Sequence, residues 1–214
     1  MAIRILIVDD HPIVRKGLIG LLKAVPDNAV IDEASDGDEA LAKARKGRPD
    51  LILLDIALPG KSGFEILKQL HIEMPDTKIL VLSMYSETQY ALRCLKAGAM
   101  GYLTKRSAPK ELLHAITKVI AGGKYVSAAL AEHLAAELGF DATSEPHDRL
   151  SDREFQVLCF VGQGMTVTQI AKTLSISVST VNKYRAQILR KMNLSTTAQL
   201  IRYALDNNLT YPSE

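Results

Sequence analysis

Apolar residues follow two different rhythms along this chain. Through the first 122 residues, short apolar runs alternate with longer stretches whose apolar positions recur every three or four residues. The runs Ile3–Val8, Val30–Ala34, Leu51–Leu54, Lys78–Leu82 and Met100–Thr104 predict strands. Leu51–Leu54 is wholly apolar, between Arg48-Pro49-Asp50 and Leu58-Pro59-Gly60, as in a strand buried on both faces. The intervening stretches predict helices. The first begins at Pro12 and turns Ile13, Leu18, Leu21, Leu22 and Val25 inward. Others open at the capping pairs Asp36/Glu39, Ser62/Glu65 and Ser86/Gln89, and the last, Glu111–Ile120, stops at Gly122-Gly123. Strand and helix alternating in this way predict an α/β fold, a doubly wound five-stranded parallel sheet with helices on both faces.

Beyond residue 148 the strand rhythm is gone. Capping boxes at Ser151/Glu154, Thr166/Gln169 and Thr196/Gln199, with a further start at Ser177, predict a small all-α domain. Thr166–Leu174, a turn at Ser175-Ile176-Ser177, and Val178–Met192 have the outline of a helix-turn-helix. Between the two regions, Ser127–Leu138 predicts a helix with Leu130, Leu134 and Leu138 in one stripe. It ends at Gly139 and is followed by polar, turn-rich residues 141–148. The expected division is therefore 1–122, a linker 123–148 containing a helix over 127–138, and 149–214. The leucine stripe suits packing on either domain or on another chain.

Charge sharpens this division. The net +2 of the chain resolves into +3 over residues 1–125, −5 over 126–148 and +4 over 149–214. A small basic C-terminal unit points to a polyanion partner. With 47% hydrophobic and 23% charged residues the composition is that of a soluble globular protein, and no apolar run is long enough to span a bilayer. The N-terminus turns acidic too soon for a signal peptide, so the expected location is cytoplasmic. Cys94 and Cys159 stand far apart and read as reduced packing cysteines.

In a parallel sheet the strand C-termini share one edge, and ligands bind there. The residues leaving the strands on that edge are Asp9, Asp10, Asp55, Ser83 and Lys105. Carboxylates brought so close repel one another, which calls for a hard divalent cation, Mg²⁺ or Mn²⁺. A lysine and a hydroxyl beside it suit phosphoryl oxygens. The set fits phosphoryl transfer onto an aspartate.

The Val178–Met192 helix has two faces. Ser179, Asn182, Lys183, Ala186 and Arg190 share one, and Val181, Tyr184, Ile188 and Met192 cluster on the other. Asn and Lys can read base edges in a major groove, a small Ala lets the helix sit deep, and Arg185, Arg190 and Lys191 suit phosphates. No acidic residue occurs from Ser177 to Leu205. Thr168 and Thr180 complete the candidate DNA-contacting set.

Val8-Asp9-Asp10-His11-Pro12, Leu54-Asp55 with Pro59-Gly60 and Gly63, Leu82-Ser83, and Tyr102-Leu103-Thr104-Lys105 together resemble the receiver domain of bacterial response regulators. Leu150-Ser151, Arg153-Glu154, Gly164, Ile170-Ala171, Leu174, Ser179-Thr180-Val181, Ile188-Leu189 and Lys191-Met192 resemble the LuxR-type helix-turn-helix. The two in this order are the arrangement of NarL/FixJ-type regulators. The resemblance implies that Asp55 takes a phosphoryl group from a sensor histidine kinase. It implies that Asp9, Asp10, Asp55 and the backbone carbonyl of Ala57 serve the metal, and that Ser83 and Lys105 contact the phosphoryl group. Tyr102 matches an aromatic that swings inward as the hydroxyl engages phosphate, making Ser83 and Tyr102 a switch pair. The implied partner is promoter DNA, bound by a homodimer.

Three positions depart from the pattern: Arg106 stands where proline often follows the lysine, Gln169 replaces the usual Glu, and Tyr184 replaces a frequent His. Two rival functions are a regulator working without phosphorylation and an aspartyl-phosphate phosphohydrolase. The second usually needs another acid just after the nucleophile, where Ala57 stands here.

Overall fold

Five runs too short for helices, four of them mainly apolar, pair side by side in the computed structural model, which describes residues 2–22, 29–132 and 145–210, without the side chains of residues 88 and 89. The elements are β1 (Arg4–Val8), α1 (Pro12–Leu22), β2 (Val30–Ala34), α2 (Gly37–Gly47), β3 (Leu51–Leu54), α3 (Gly63–Glu73), β4 (Lys78–Ser83), α4 (Glu87–Lys96), β5 (Gly101–Thr104) and α5 (Pro109–Ile120). All pairings are parallel and the strand order is β2-β1-β3-β4-β5. Every residue of the central β3 is buried, as its unbroken apolar run requires. Order reverses between β1 and β3, and a doubly wound sheet opens its ligand crevice at that point.

Register decides what meets there. Val8 pairs with Leu54, and the Asp55 amide donates to the Val8 carbonyl at 2.9 Å, so the acids after β1 and β3 emerge side by side. Ser83 pairs with Thr104, and the Lys105 amide donates to the Ser83 carbonyl at 2.8 Å.

Some local expectations fail. Ile13 is 86% exposed, because the first turn of α1 projects beyond the core that Leu18 and Leu22 fill. Val25 lies outside the described residues. Ser62 and Ser86 sit at N-cap positions, yet neither side chain makes a cap hydrogen bond. At α3, tertiary packing fixes the start: a Cβ on Gly63 would stand 2.3 Å from the Ile56 Cα, an approach only glycine allows. Asp36 does cap α2, accepting from the Glu39 amide at 2.9 Å.

The chain divides into compact units at residues 136 and 137, inside the stretch read as a linker. Residues 128–132 are helical, while Leu134, Leu138 and Gly139 lie outside the described residues. The second unit holds a 3₁₀ turn (Pro146–Arg149), α6 (Asp152–Gly162), α7 (Val167–Thr173), α8 (Val178–Lys191) and α9 (Thr197–Asp206). Capping boxes close at Ser151, Thr166 and Thr196, and Ser177 accepts from the Thr180 amide at 3.0 Å. Buried α6 packs against α8 and α9, and Val181, Ile188 and Met192 form the inward face of α8.

One ion pair ties α6 to α8. Lys191 Nζ stands 2.6 Å from Oε2 of Glu154, whose side chain is 4% exposed. Burial pushes the Glu154 carboxyl up, but Lys191 and Ser151 overcome it and hold it below the ordinary range. A carboxylate with a depressed folded-state pKa stabilises fully above its unfolded value and loses that contribution as pH falls toward the folded one. Lys191→Met is expected to destabilise the second unit by about 1–2 kcal/mol at pH 7, below the range for a fully buried pair because Lys191 is partly solvated. The deficit should shrink as pH drops below the mid-4s, measured by urea unfolding followed through amide exchange.

Candidate functional site

Lys105 is the hinge pin of the acid cluster. Its ammonium lies 2.5 Å from Asp55 Oδ2 and 2.6 Å from Asp9 Oδ2, with all three side chains nearly closed to solvent. Backbone amides hold the other oxygens: Ala57 N–H donates to Asp55 Oδ1 at 2.8 Å and His11 N–H to Asp9 Oδ1 at 2.9 Å. Burial raises the Asp55 carboxyl above its usual range against the pull of Lys105. Burial would lower the Lys105 ammonium, but the Asp55 and Asp9 carboxylates carry it higher, so it stays cationic.

Asp10 completes the group and differs from its neighbours. Its Oδ1 is buried and makes no hydrogen bond, although His11 Nδ1 stands 2.8 Å away in an unaligned ion-pair contact. One ligand atom from each of Asp9, Asp10, His11 and Asp55 falls within 4.8 Å of the others. Three carboxylates against one ammonium leave an excess of negative charge, and an orphaned buried oxygen needs a partner. The oxygen donors fit Mg²⁺ or Mn²⁺. Of Ala57, the cluster uses the amide, on Asp55. Sequence reasoning passed over His11, whose position directly after the acid pair was the available signal.

Ser83 and Tyr102 are both fully buried. The Tyr102 hydroxyl donates to the Tyr85 carbonyl at 2.8 Å, and the Tyr85 amide reaches the Ser83 hydroxyl at 3.5 Å. Burial drives the Tyr102 hydroxyl well above its ordinary pKa, with the Ser83 side chain opposing, so it remains a neutral donor. The ring is thus buried and anchored through its hydroxyl to the segment after β4. Tyr85 stacks on Tyr90 at 4.6 Å between ring centroids, and Tyr90 on Phe64 at 5.9 Å. No cis peptide occurs at Arg106 or elsewhere among the described residues.

In the second unit, α8 turns Ser179, Asn182, Lys183, Ala186 and Arg190 to solvent, as does α7 with Thr168. Arg185 and Tyr184 are half-buried. Two candidates are engaged within the protein: Thr180 Oγ1 lies 2.8 Å from the capping Ser177 hydroxyl, and Lys191 is held by Glu154. Lys191 therefore first serves the packing of α6 on α8.

Residues 5–117 match the family described as the response regulator receiver domain, and residues 148–204 match the bacterial regulatory proteins of the luxR family. The chain belongs to the NarL/FixJ-type response regulators. It is similar to the response regulator UvrY of Escherichia coli K12, 33% identical over 97% of this chain and 95% of UvrY. The oxygen regulatory protein NreC of Staphylococcus carnosus is 35% identical over 96% of this chain and 98% of NreC. Among solved structures, RcsB of Salmonella typhimurium aligns with a TM-score of 0.70 at 25% identity, over 96% of this chain and 98% of RcsB. The family is one of transcription regulators rather than enzymes, which removes the phosphohydrolase reading. Among the described residues, no helix is long and apolar enough to cross a membrane.

Relieving the carboxylate crowding should separate metal binding from stability. Asp10→Asn in this response regulator is expected to raise the ion-free melting temperature while weakening Mn²⁺ binding at least about tenfold. Thermal melts and titration calorimetry, each with and without Mn²⁺, measure the two effects.

Proposed function

We propose that this regulator accepts a phosphoryl group on Asp55 from a sensor histidine kinase in the cytoplasm, and that the modified chain binds promoter DNA as a homodimer. The observation that carries the reading is the convergence of Asp55, Lys105 and Ser83 at one sheet edge. An Asp55 oxygen attacks the phosphorus of a phosphohistidine; a P–O bond forms, the P–N bond breaks, and the imidazole departs with its electron pair. Lys105 meets the charge on the equatorial phosphoryl oxygens, and Ser83 donates a hydrogen bond to one of them. Asp9, Asp10, Asp55 and the Ala57 carbonyl would hold Mg²⁺, which when bound neutralises charge on the transferred group.

DNA recognition is assigned to α8. Asn182 and Lys183, with Ser179 and Ala186 beside them, are suited to base edges, and Arg185 and Arg190 to phosphates, with Thr168 and Thr180 at the approach. Lys191 reaches DNA only if it leaves Glu154. The likeness to RcsB of Salmonella typhimurium, a response regulator that interacts with DNA, supports this assignment. A twofold dimer would read an inverted repeat.

Intact-mass measurement after incubation with acetyl phosphate and Mg²⁺ tests the first half. One hydroxylamine-labile phosphoryl group should appear on the native chain and none on Asp55→Ala. Equal DNA affinity and promoter output for the two proteins under signal would instead support regulation without phosphorylation. For the second half, Arg190→Ala should weaken binding evenly across sequences and lower the salt slope by about 1.8, one phosphate contact being lost from each protomer of the dimer. Asn182→Ala should relax preference at one base pair in each half-site by about 1–3 kcal/mol. Competition gel shifts over a salt series distinguish the two.

A further inference from the structure

The free edge of β5 is occupied by the chain's own linker. After α5 the backbone turns at Gly122, in the left-handed region at φ 87°, and comes back alongside β5. Tyr125 forms a parallel bridge with Gly101, and its amide donates to the Met100 carbonyl at 2.8 Å. The approach is close: a Cβ on Gly101 would stand 2.8 Å from the Tyr125 carbonyl oxygen. The Tyr125 side chain is buried with residues of the sheet and α5, and its hydroxyl donates to Glu111 of α5 at 2.9 Å. Two residues on, the Ser127 hydroxyl donates to Glu87 in the first turn of α4 and accepts from the Leu130 amide at 3.1 Å. Leu130 itself is 1% exposed. Two acids from different helices, Glu87 and Glu111, are thus each capped by a linker hydroxyl.

Glu87 is also close in sequence to the switch. Ser83, at the end of β4 on the sheet edge that carries Lys105, Tyr85, whose carbonyl anchors Tyr102, and Glu87 lie on alternate residues of the β4–α4 segment. The Ser83 hydroxyl accepts from the Tyr85 amide only at 3.5 Å, so a phosphoryl oxygen on Asp55 that drew this hydroxyl toward itself would pull on the short segment leading to the start of α4.

We infer that the Glu87–Ser127 contact, with Tyr125 bridged to Gly101, is a clasp that holds the linker on the β5 edge and opens when Ser83 turns to a phosphoryl group on Asp55. While the clasp is closed, the Gly101 edge is unavailable to a second copy. Opening it frees the segment that leads to the DNA-binding unit. This inference rests on the phosphoacceptor reading of Asp55.

Amide exchange on the full-length protein, with beryllofluoride and Mg²⁺ as the phosphoryl mimic, tests it. The Tyr125 and Leu130 amides should exchange about tenfold faster with the mimic, as expected for losing one or two hydrogen bonds, and Asp55→Ala should not respond. Ser127→Ala and Glu87→Ala should exchange fast at Leu130 without the mimic, whereas Glu87→Gln, which keeps an acceptor, should retain protection. Unchanged exchange at both amides, while the exchange of the Ala57 amide in the site responds to the mimic, would overturn the clasp and leave the phosphoacceptor reading standing. Slow exchange in Ser127→Ala and Glu87→Ala would also overturn it. If Ala57 does not respond and no acyl phosphate forms on Asp55, the phosphoacceptor reading fails and the clasp with it.

Discussion

Three carboxylates crowded at the head of a parallel sheet set the terms for the rest of this molecule. Two like charges about 4 Å apart repel by about 4 kcal/mol at an effective dielectric of 20. Lys105 offsets part of this by pairing with Asp9 and Asp55 together, and leaves Asp10 with a buried oxygen that no donor satisfies. Such a cluster persists only because the strand register imposes it. Val8 opposite Leu54 fixes where the acids emerge, and Ser83 opposite Thr104 does the same for the hydroxyl and the lysine. The folding of a hydrophobic sheet thereby brings the acids, the lysine and the hydroxyl to one edge, the arrangement on which the proposed phosphoryl transfer rests.

Features of the fold that depend on short-range pattern were legible in the sequence. The unbroken run Leu51–Leu54 could only be a two-sided strand, and the boxes at Ser151, Thr166 and Thr196 closed because a cap involves residues three apart. The same rule failed at Ser62, where the approach of Gly63 to Ile56 is a tertiary constraint that no local window contains. Helical periodicity likewise turned Ile13 inward, although the first turn of α1 has no core beneath it.

In the candidate site, strand-end acids, hydroxyl and lysine could be read because topology alone brings strand ends together. Side chains whose role depends on a distant partner could not. Lys191 reads from the sequence as a cation suited to phosphate, and only the fold shows Glu154 beneath it. The return of Tyr125 to Gly101 pairs residues 24 positions apart through a turn that no sequence period announces. Solvent exposure on α8 was better anticipated, because a 3.6-residue period separates Val181, Ile188 and Met192 from Asn182, Lys183 and Arg190.

In the proposed function, modification at Asp55 favours the DNA-binding form over the alternative, which links the acid cluster to α8 through free energy. The direct measurement is the dissociation constant for genomic promoter fragments at fixed salt and Mg²⁺, with and without acetyl phosphate, in the native chain and in Asp55→Ala. If modification at Asp55 controls DNA binding, acetyl phosphate tightens binding by the native chain about tenfold or more, and Asp55→Ala does not respond. Unchanged affinity in a native chain fully phosphorylated on Asp55 would contradict it.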